Sequence, residues 1–446
     1  MATDFRRLIT HVVVVMMENR SFDHMCGYLS LPPWNLTPVD GFQTNQGWID
    51  RYTNYWQGHA YVPHHLSGQV ADDPPHDRPS IATQLGTSPG AQGPMTGFVR
   101  SYAGRNPQPQ DLSQVVGYYT PDEVPIHEFF ARNFAICDRW FAPIPTSTQP
   151  NRLMATGGYT RIDDNQFIIP DQDLAYDWLT QRNVTWRVYH DGVVPMFGLM
   201  NEWKEIIHDD DRKELAEQPL FRWFDWFEAD IQDTTVPFPQ VVFVEPDYAD
   251  IPVHVTPPND DHPPASIHEG QKFLRRVYRA LTKNPDIWNQ TLMIVTYDEH
   301  GGFFDHVDPL PIRTESPNGS YDPFTTTGPR VPAFLISPYV EAGVVVHDNL
   351  DHTSVLKFLA ERFEPSGKYS DAVEGRHVGA VHLELLSKSL TRDTPRTEIP
   401  YPNPVPDVQD SPTNVEAFTG ALKDFHDLSP DHITQYFGTA MESESP

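Results

Sequence analysis

Cysteine, basic charge and long apolar runs are all scarce in this 446-residue chain. Two cysteines, Cys26 and Cys137, cannot build a disulfide framework, and no CxxC pair offers a zinc-thiolate site. A single bridge between them stays open; a chain with this much apolar material favours the reduced pair. Lys and Arg number 32 against 61 Asp and Glu, a net charge of −29. Nucleic acids need clustered cations against their phosphates, so nucleic-acid binding is excluded. Long-range attraction to an anionic membrane is excluded too, which leaves at most peripheral membrane contact through a local patch. No stretch of about 18 apolar residues is present, so no helix is expected to span a bilayer. Arg6-Arg7 ahead of an apolar run imitates an export signal. His11 interrupts that run, no small-residue cleavage site follows, and Glu18-Asn19-Arg20 comes directly after. The expectation is a cytoplasmic protein, or a secreted form whose signal has been removed.

Prolines, by contrast, number 44, about twice the usual share of roughly 5%. Each removes a backbone donor and stops a helix, so rigid loops are expected between the regular elements. Those elements are legible. Val12–Met17 and Thr291–Tyr297 are continuous apolar or β-branched runs, the pattern of strands buried on both faces of a parallel sheet. Shorter runs recur at 134–136, 185–189, 241–244 and 333–337. Between them, Ser266-Ile-His-Glu269 reads as a capping box ahead of Phe273, Leu274, Val277, Tyr278 and Leu281 at helical spacing. Leu174, Trp178 and Leu179 mark a second helix, and Val355, Phe358, Leu359 and Phe363 a third that starts near Asp351. Alternating strands and helices predict an α/β fold with a mostly parallel central sheet and helices on both faces. Residues 41–114 are rich in Gly, Pro, Asn, Gln and His, which predicts an ordered, loop-rich insertion near the site. The division expected is a catalytic domain over residues 1–390 and a Pro-rich extension over 391–446. Within the extension a short helix is expected at 415–425 and disorder at 441–446.

In open α/β sheets, ligands bind beyond the carboxyl ends of the strands. Two strands here run straight into polar clusters: Glu18-Asn19-Arg20-Ser21-Phe22-Asp23-His24, and Asp298-Glu299-His300-Gly301-Gly302-Phe303-Phe304-Asp305-His306. One such cluster reads as salt bridges or helix caps. Two, each at the end of a buried strand, read as a site, because buried carboxylates need a partner. A divalent cation supplies it: carboxylates and an amide oxygen are hard ligands suited to Mg, Ca, Mn or ferrous iron. Gly301-Gly302 is expected to let backbone approach a ligand.

The third cluster is Pro143-Ile-Pro-Thr-Ser-Thr-Gln-Pro-Asn-Arg152, with a helix expected to start near Pro150. Hydroxyls at a helix N-terminus sit where free N–H groups attract a phosphate, so Ser147 or Thr148 is either an ordinary cap or an activated nucleophile. Twenty histidines are spread over the chain, and His76, His262, His306 and His352 stand in suggestive polar settings.

Taken together these segments resemble the phosphoesterase family of phosphatidylcholine-type bacterial phospholipases C, acid phosphatases and plant non-specific phospholipases C. The resemblance rests on Met17-Glu-Asn-Arg-Ser-Phe-Asp-His24, Ala71-Asp-Asp-Pro-Pro-His76, Met95-Thr-Gly-Phe-Val99, Cys137-Asp-Arg-Trp-Phe-Ala142, Pro145-Thr-Ser-Thr-Gln-Pro-Asn-Arg152, Asn259-Asp-Asp-His-Pro263, Thr296-Tyr-Asp-Glu-His-Gly-Gly-Phe-Phe-Asp-His-Val307 and Arg330-Val-Pro-Ala333. It spans roughly residues 8–365, in family order. It implies an alkaline-phosphatase-like three-layer fold and Thr148 as covalent nucleophile. It also implies one divalent metal held by Glu18, Asn19, Asp298, Glu299 and Thr148. His76 and His262 are implied as catalytic histidines at the phosphoryl group, and His352, His306 and Arg152 as substrate contacts. Attack by Thr148 would leave a phosphothreonine that water hydrolyses, with two inversions and net retention at phosphorus.

The function expected is phospholipase C-type hydrolysis of glycerophospholipids to diacylglycerol and a phosphorylated head group. An acid phosphatase acting on small phosphomonoesters is the alternative, and an inactive phospholipid-binding homologue a remoter one. Aromatic residues at Trp48, Tyr52, Tyr55, Trp56 and Tyr61, and from Trp203 to Phe227, suit either interfacial docking or core packing.

Overall fold

The apolar runs become the strands of one eight-stranded sheet: β1 (His11–Met17), β2 (Ala135–Cys137), β3 (Trp186–His190), β4 (Phe221–Trp223), β5 (Val241–Glu245), β6 (Thr291–Tyr297), β7 (Ala333–Ile336) and β8 (Val344–Val346). Their spatial order is β8-β2-β7-β6-β1-β5-β3-β4. Only β7 runs antiparallel to its neighbours. The computed structural model describes residues 5–406 apart from 69–70, 89–90, 107, 167–168, 193–194, 201–219 and 250–256. Trp203 and the helix and disorder expected after residue 407 lie outside the described residues.

The strands are apolar throughout because both faces of the sheet are covered. The helices used below are α1 (Phe22–Cys26), α2 (Arg78–Gln84), α3 (Phe98–Ala103), α4 (Pro125–Asn133), α5 (Thr148–Gly157), α6 (Ile267–Thr282) and α7 (Thr353–Phe363). Register pairs Val15 with both Val244 and Val295, Val244 with Tyr189, and Val295 with Phe334, so these residues share one face. On that face His127 and Phe130 of α4 pack on Phe334, and Phe227 packs on Tyr189. The next row, through Val14, Phe243 and Val188, faces the other way. There Tyr176 packs on Phe243 and stacks on Trp186. The helix of Tyr176 packs against α5, and α5 packs against α7. The result is a three-layer α/β architecture.

Two local expectations are refined. The capping box at α6 is half formed: Ser266 Oγ accepts from the His268 N–H at 3.4 Å, while Glu269 turns to Lys272 at 3.1 Å. Helix α5 begins at Thr148, two residues before Pro150, because the proline lies within its first turn, where a missing N–H costs nothing. Cys26 and Cys137 are buried free thiols.

Residues 41–114 hold a helix (Gln46–Tyr52), a hairpin (Asn54–Trp56 with His59–Tyr61), α2 and α3. They bury an apolar cluster of their own, including Phe42, Trp48, Ile81, Phe98 and Tyr102, which Phe304 from the loop after β6 completes. That shared residue ties the segment to the carboxyl end of the sheet. Of residues 391–406, Arg392 and Arg396 bond the backbone of Tyr339 and Pro338, and Tyr278 Oη donates to Pro400 O at 2.8 Å, so this stretch lies against the core.

Candidate active site

Strands β1 and β6 are paired to their last residues, Met17 against Tyr297, so Glu18 and Asp298 leave the sheet side by side. Backbone bonds carry the pairing onward. Asp298 N donates to Met17 O at 3.1 Å, Arg20 N to Glu299 O at 3.1 Å, and Glu18 N to Asp260 O at 2.8 Å. The Asn19 N–H donates to Asp298 Oδ1 at 3.1 Å. Asn19 itself has φ +58°, a left-handed conformation that asparagine tolerates better than most residues. Glu18, Asn19, Asp298 and Glu299 are all at most 1% exposed.

Helix α5 aims its first turn at this group. Thr148 Oγ1 donates to Asn19 Oδ1 at 3.3 Å, and Asn19 Nδ2 meets His76 Nε2 at 3.4 Å. The Nδ1–H of His76 is spent on Pro74 O at 2.8 Å, which leaves Nε2 as the acceptor toward Asn19. One asparagine side chain therefore bridges the threonine and the histidine. Ser147, the alternative hydroxyl, donates to Asp164 instead. One turn along the same face as Thr148, Arg152 ends 3.2 Å from Glu18 Oε1 and 3.5 Å from Asp298 Oδ2. Its guanidinium also donates to the carbonyls of Met16 and Met17 and to Tyr248 Oη at 3.0 Å.

The remaining groups close around this centre. Glu299 Oε1 is 4.0 Å from His76 Nε2, and its other oxygen accepts from Gly301 N at 2.9 Å. The rings of His76 and His262 are 6.3 Å apart. Asp260 Oδ1 accepts from the His262 N–H at 3.0 Å and so fixes that histidine's backbone. Burial pushes the Asp298 carboxyl up, Arg152 opposes this, and the neighbouring Glu299 adds to it. Burial also lifts the Asp261 carboxyl, to about 8.

A comparison of the whole sequence with family models decides the assignment: residues 9–365 match the Phosphoesterase family. The chain belongs to the Phosphoesterase family. Relatives of this phosphoesterase include non-specific phospholipase C5 of Arabidopsis thaliana, 31% identical with 89% of this chain and 77% of the relative covered. Phospholipase C B of Mycobacterium tuberculosis is 30% identical over 80% and 73% of the two chains. Among solved structures, the lipoteichoic acid synthase LtaP of Listeria monocytogenes matches at TM-score 0.36 and 10% identity, covering 83% and 77%. As a member of this family the protein is a hydrolase acting on ester bonds.

Four of the sequence expectations about this phosphoesterase take on a particular shape in the structure. His352 lies at the centre with both ring nitrogens engaged: Trp140 Nε1–H donates to its Nδ1 at 3.0 Å, and its Nε2–H donates to Asp298 O at 2.7 Å. Burial holds it neutral, with its pKa lowered to about 4. These contacts tie it to the Asp298 backbone. Arg152 is likewise bound up with Glu18 and Asp298. His306 joins a different group, bonding Asp23 at 2.7 Å and Asp40 at 3.2 Å, with Arg330 across Asp23 and Asp305. The glycine pair lets backbone approach backbone. A Cβ on Gly301 (φ +61°) would stand 2.0 Å from Asn19 O, and one on Gly302 (φ +71°) 2.7 Å from Pro75 O.

Several neighbours had no signal of their own in the sequence. Tyr248 and Trp140 look like core aromatics until the fold brings them to Arg152 and His352. Gln84, which accepts from His300 Nε2 at 2.8 Å and donates to Pro75 O at 2.6 Å, looks like surface polar on α2.

The donor set fits a hard divalent cation. Asp298 Oδ2 and Glu299 Oε1 are buried carboxylate oxygens with no hydrogen-bond donor among the described residues. Among the described residues, the acidic and histidine side chains that stand close enough as a trio to share an ion are Asp23, Asp305 and His306. There, however, the fully buried Arg330 donates to both aspartates at about 3 Å and balances their charge. A cation would have to compete with it.

Proposed function

We propose that this phosphoesterase hydrolyses glycerophospholipid diesters in the manner of a phospholipase C, releasing diacylglycerol and a phosphorylated head group. The observation that carries the reading is the Thr148–Asn19–His76 chain of contacts at the head of α5, set against one buried oxygen each of Asp298 and Glu299 with no hydrogen-bond donor among the described residues. The names of the relatives at about 30% identity agree with it.

In this reading Thr148 Oγ1 is the nucleophile. Asn19 Oδ1 orients the resting hydroxyl; with the cation bound, Thr148 would give its proton up to solvent water and attack phosphorus as the alkoxide. Glu18, Asn19, Asp298, Glu299 and Thr148 would hold one divalent cation, which lowers the threonine's pKa and neutralises charge on the phosphoryl oxygens when bound. Arg152 balances Glu18 and Asp298, and His352 keeps the Asp298 backbone in place. His76 or His262 delivers the proton to the departing alkoxide, since an imidazole exchanges protons near neutral pH. The threonine then carries the phosphoryl group. The same histidine takes a proton from the water that attacks this phosphothreonine, and the second in-line displacement restores the configuration at phosphorus. His306 has no part in this scheme; with Asp23, Asp305 and Arg330 it braces the loop after β6.

A paired assay tests the reading. One purified sample is offered phosphatidylcholine micelles and p-nitrophenylphosphorylcholine, and separately p-nitrophenyl phosphate, before and after chelation. Chelator-sensitive release of diacylglycerol is the expected result. Turnover of the monoester alone moves the protein to the phosphatase alternative.

A further inference from the structure

A cleft of about 760 Å³ opens beside His76 and Ser147, the residue just before Thr148. That size suits a ligand larger than a phosphate group. Among the described residues no Val, Leu, Ile, Met or Phe side chain lines it. Its apolar surface comes from Pro75, Pro79, Trp56 and arginine stems rather than from the aliphatic side chains that would line an acyl-chain channel. The reading above divides the substrate at phosphorus, so the cleft falls to the head group.

The walls also describe which head group. Ser80 and Asn106 present hydroxyl and amide groups that both donate and accept, Thr83 offers a hydroxyl whose hydrogen goes to Pro79 O at 3.3 Å, Arg100 and Arg105 add guanidinium donors, and among the described residues Trp56 supplies the one indole. Both signs of charge line the cleft, as Arg100 and Arg105 and as Asp77 and Asp164. Arg105 is 2.9 Å from Asp73. Asp77 Oδ1 is occupied by the Ser80 N–H at 2.8 Å, and Asp164 Oδ1 by Ser147 Oγ and the Asn165 N–H. A quaternary ammonium is recognised by several aromatic faces together, and the described lining holds one indole beside the His76 imidazole. A second anionic group would need a cation surplus, and acids stand among the arginines. Dense neutral donors and acceptors beside a single indole match a polyhydroxylated ring, which hydrogen-bonds along its edge and lays its C–H face on an aromatic.

We propose that this cleft is a head-group subsite for a neutral polyol, of the inositol or sugar class, and that the enzyme prefers such lipids to choline lipids. The proposal rests on the phospholipase C reading for the direction of the substrate, and its test separates the two. Binding of inositol 1-phosphate and of phosphocholine to the wild-type protein is measured by calorimetry, with turnover of phosphatidylinositol and phosphatidylcholine of matched chains beside it. The expected result is inositol phosphate bound at least about tenfold more tightly, about 1.4 kcal/mol, with a similar ratio in kcat/KM. In Trp56→Ala and Arg100→Ala that ratio collapses toward one. Equal or tighter binding of phosphocholine overturns the subsite. Tight binding of inositol phosphate with no turnover of either lipid leaves the subsite standing and sinks the phospholipase reading instead.

Discussion

Arg152 is the residue on which the charge balance of the centre turns. It is 4% exposed and lies between Glu18 and Asp298, two carboxylates that the strand ends force together. Removing it leaves both buried without their cation, a change that costs roughly 3–5 kcal/mol in comparable buried pairs. Arg152→Met is therefore expected to melt well below the wild type in chelator, and to recover part of the loss when a divalent cation is added. An unchanged melting temperature would show that the carboxylates are not held ionised. His306 gives a second prediction. Burial alone would depress it, but the Asp23 carboxylate, with Asp40, raises its pKa from 6.5 to about 9. A histidine raised on folding stabilises the native state in full below its unfolded pKa and loses that contribution as pH climbs through the folded value. Melting temperature should fall between about pH 6.5 and 9 by an amount equivalent to roughly 3 kcal/mol, and His306→Gln should flatten that slope. At this scale residue type was legible and partner was not. Glu18, Asn19 and Asp298 could be picked out because carboxylates and an amide beside buried strands are costly without a purpose, whereas the roles of Thr148 and His76 came from the family resemblance. That His352 spends both nitrogens on Trp140 and Asp298, or that His306 faces Asp23 across 283 residues, depends on contacts no local pattern encodes.

The elements that make the site are two strand ends, one helix start and one glycine turn. The strands were readable from their continuous apolar runs, and so was the sheet's parallel character, because only doubly covered strands dispense with polar alternation. The single antiparallel strand β7 was not readable: its apolar run has the same composition whichever way it points. The glycine turn was visible as a motif, while its reason lies in backbone packing. A methyl group at residue 301 meets Asn19 O at 2.0 Å, a contact that neither a rotamer change nor a flexible neighbour can relieve. Gly301→Ala should therefore displace Asn19, lowering the melting temperature by several degrees and abolishing most turnover. Normal activity in that variant would mean that the β1–β6 junction is looser than the backbone bonds imply. Residues 41–114 illustrate the limit of composition. They read as loop, yet they bury Phe42, Trp48, Ile81 and Phe98 around Phe304 and thereby carry His76 to the sheet.

For the whole molecule, the net charge of −29 repels anionic surfaces at long range, and no helix among the described residues is long and apolar enough to cross a membrane. The site adds to the same negative balance, with the carboxylates of Glu18, Asp298 and Glu299 gathered near Arg152. Chelation should accordingly lower both thermal stability and turnover, and a hard divalent cation should restore both; indifference of both to chelator would remove the metal from the account. The central claim concerns a covalent bond to one oxygen atom, and rapid quenching reads it directly. The wild type is mixed with a diester substrate, stopped in acid within the first turnover, digested and weighed peptide by peptide. The account predicts a phosphoryl adduct on the peptide that carries Thr148, absent from Thr148→Ala, whose kcat drops by about a thousandfold or more. An adduct on any other residue, or full turnover by Thr148→Ala, would contradict it.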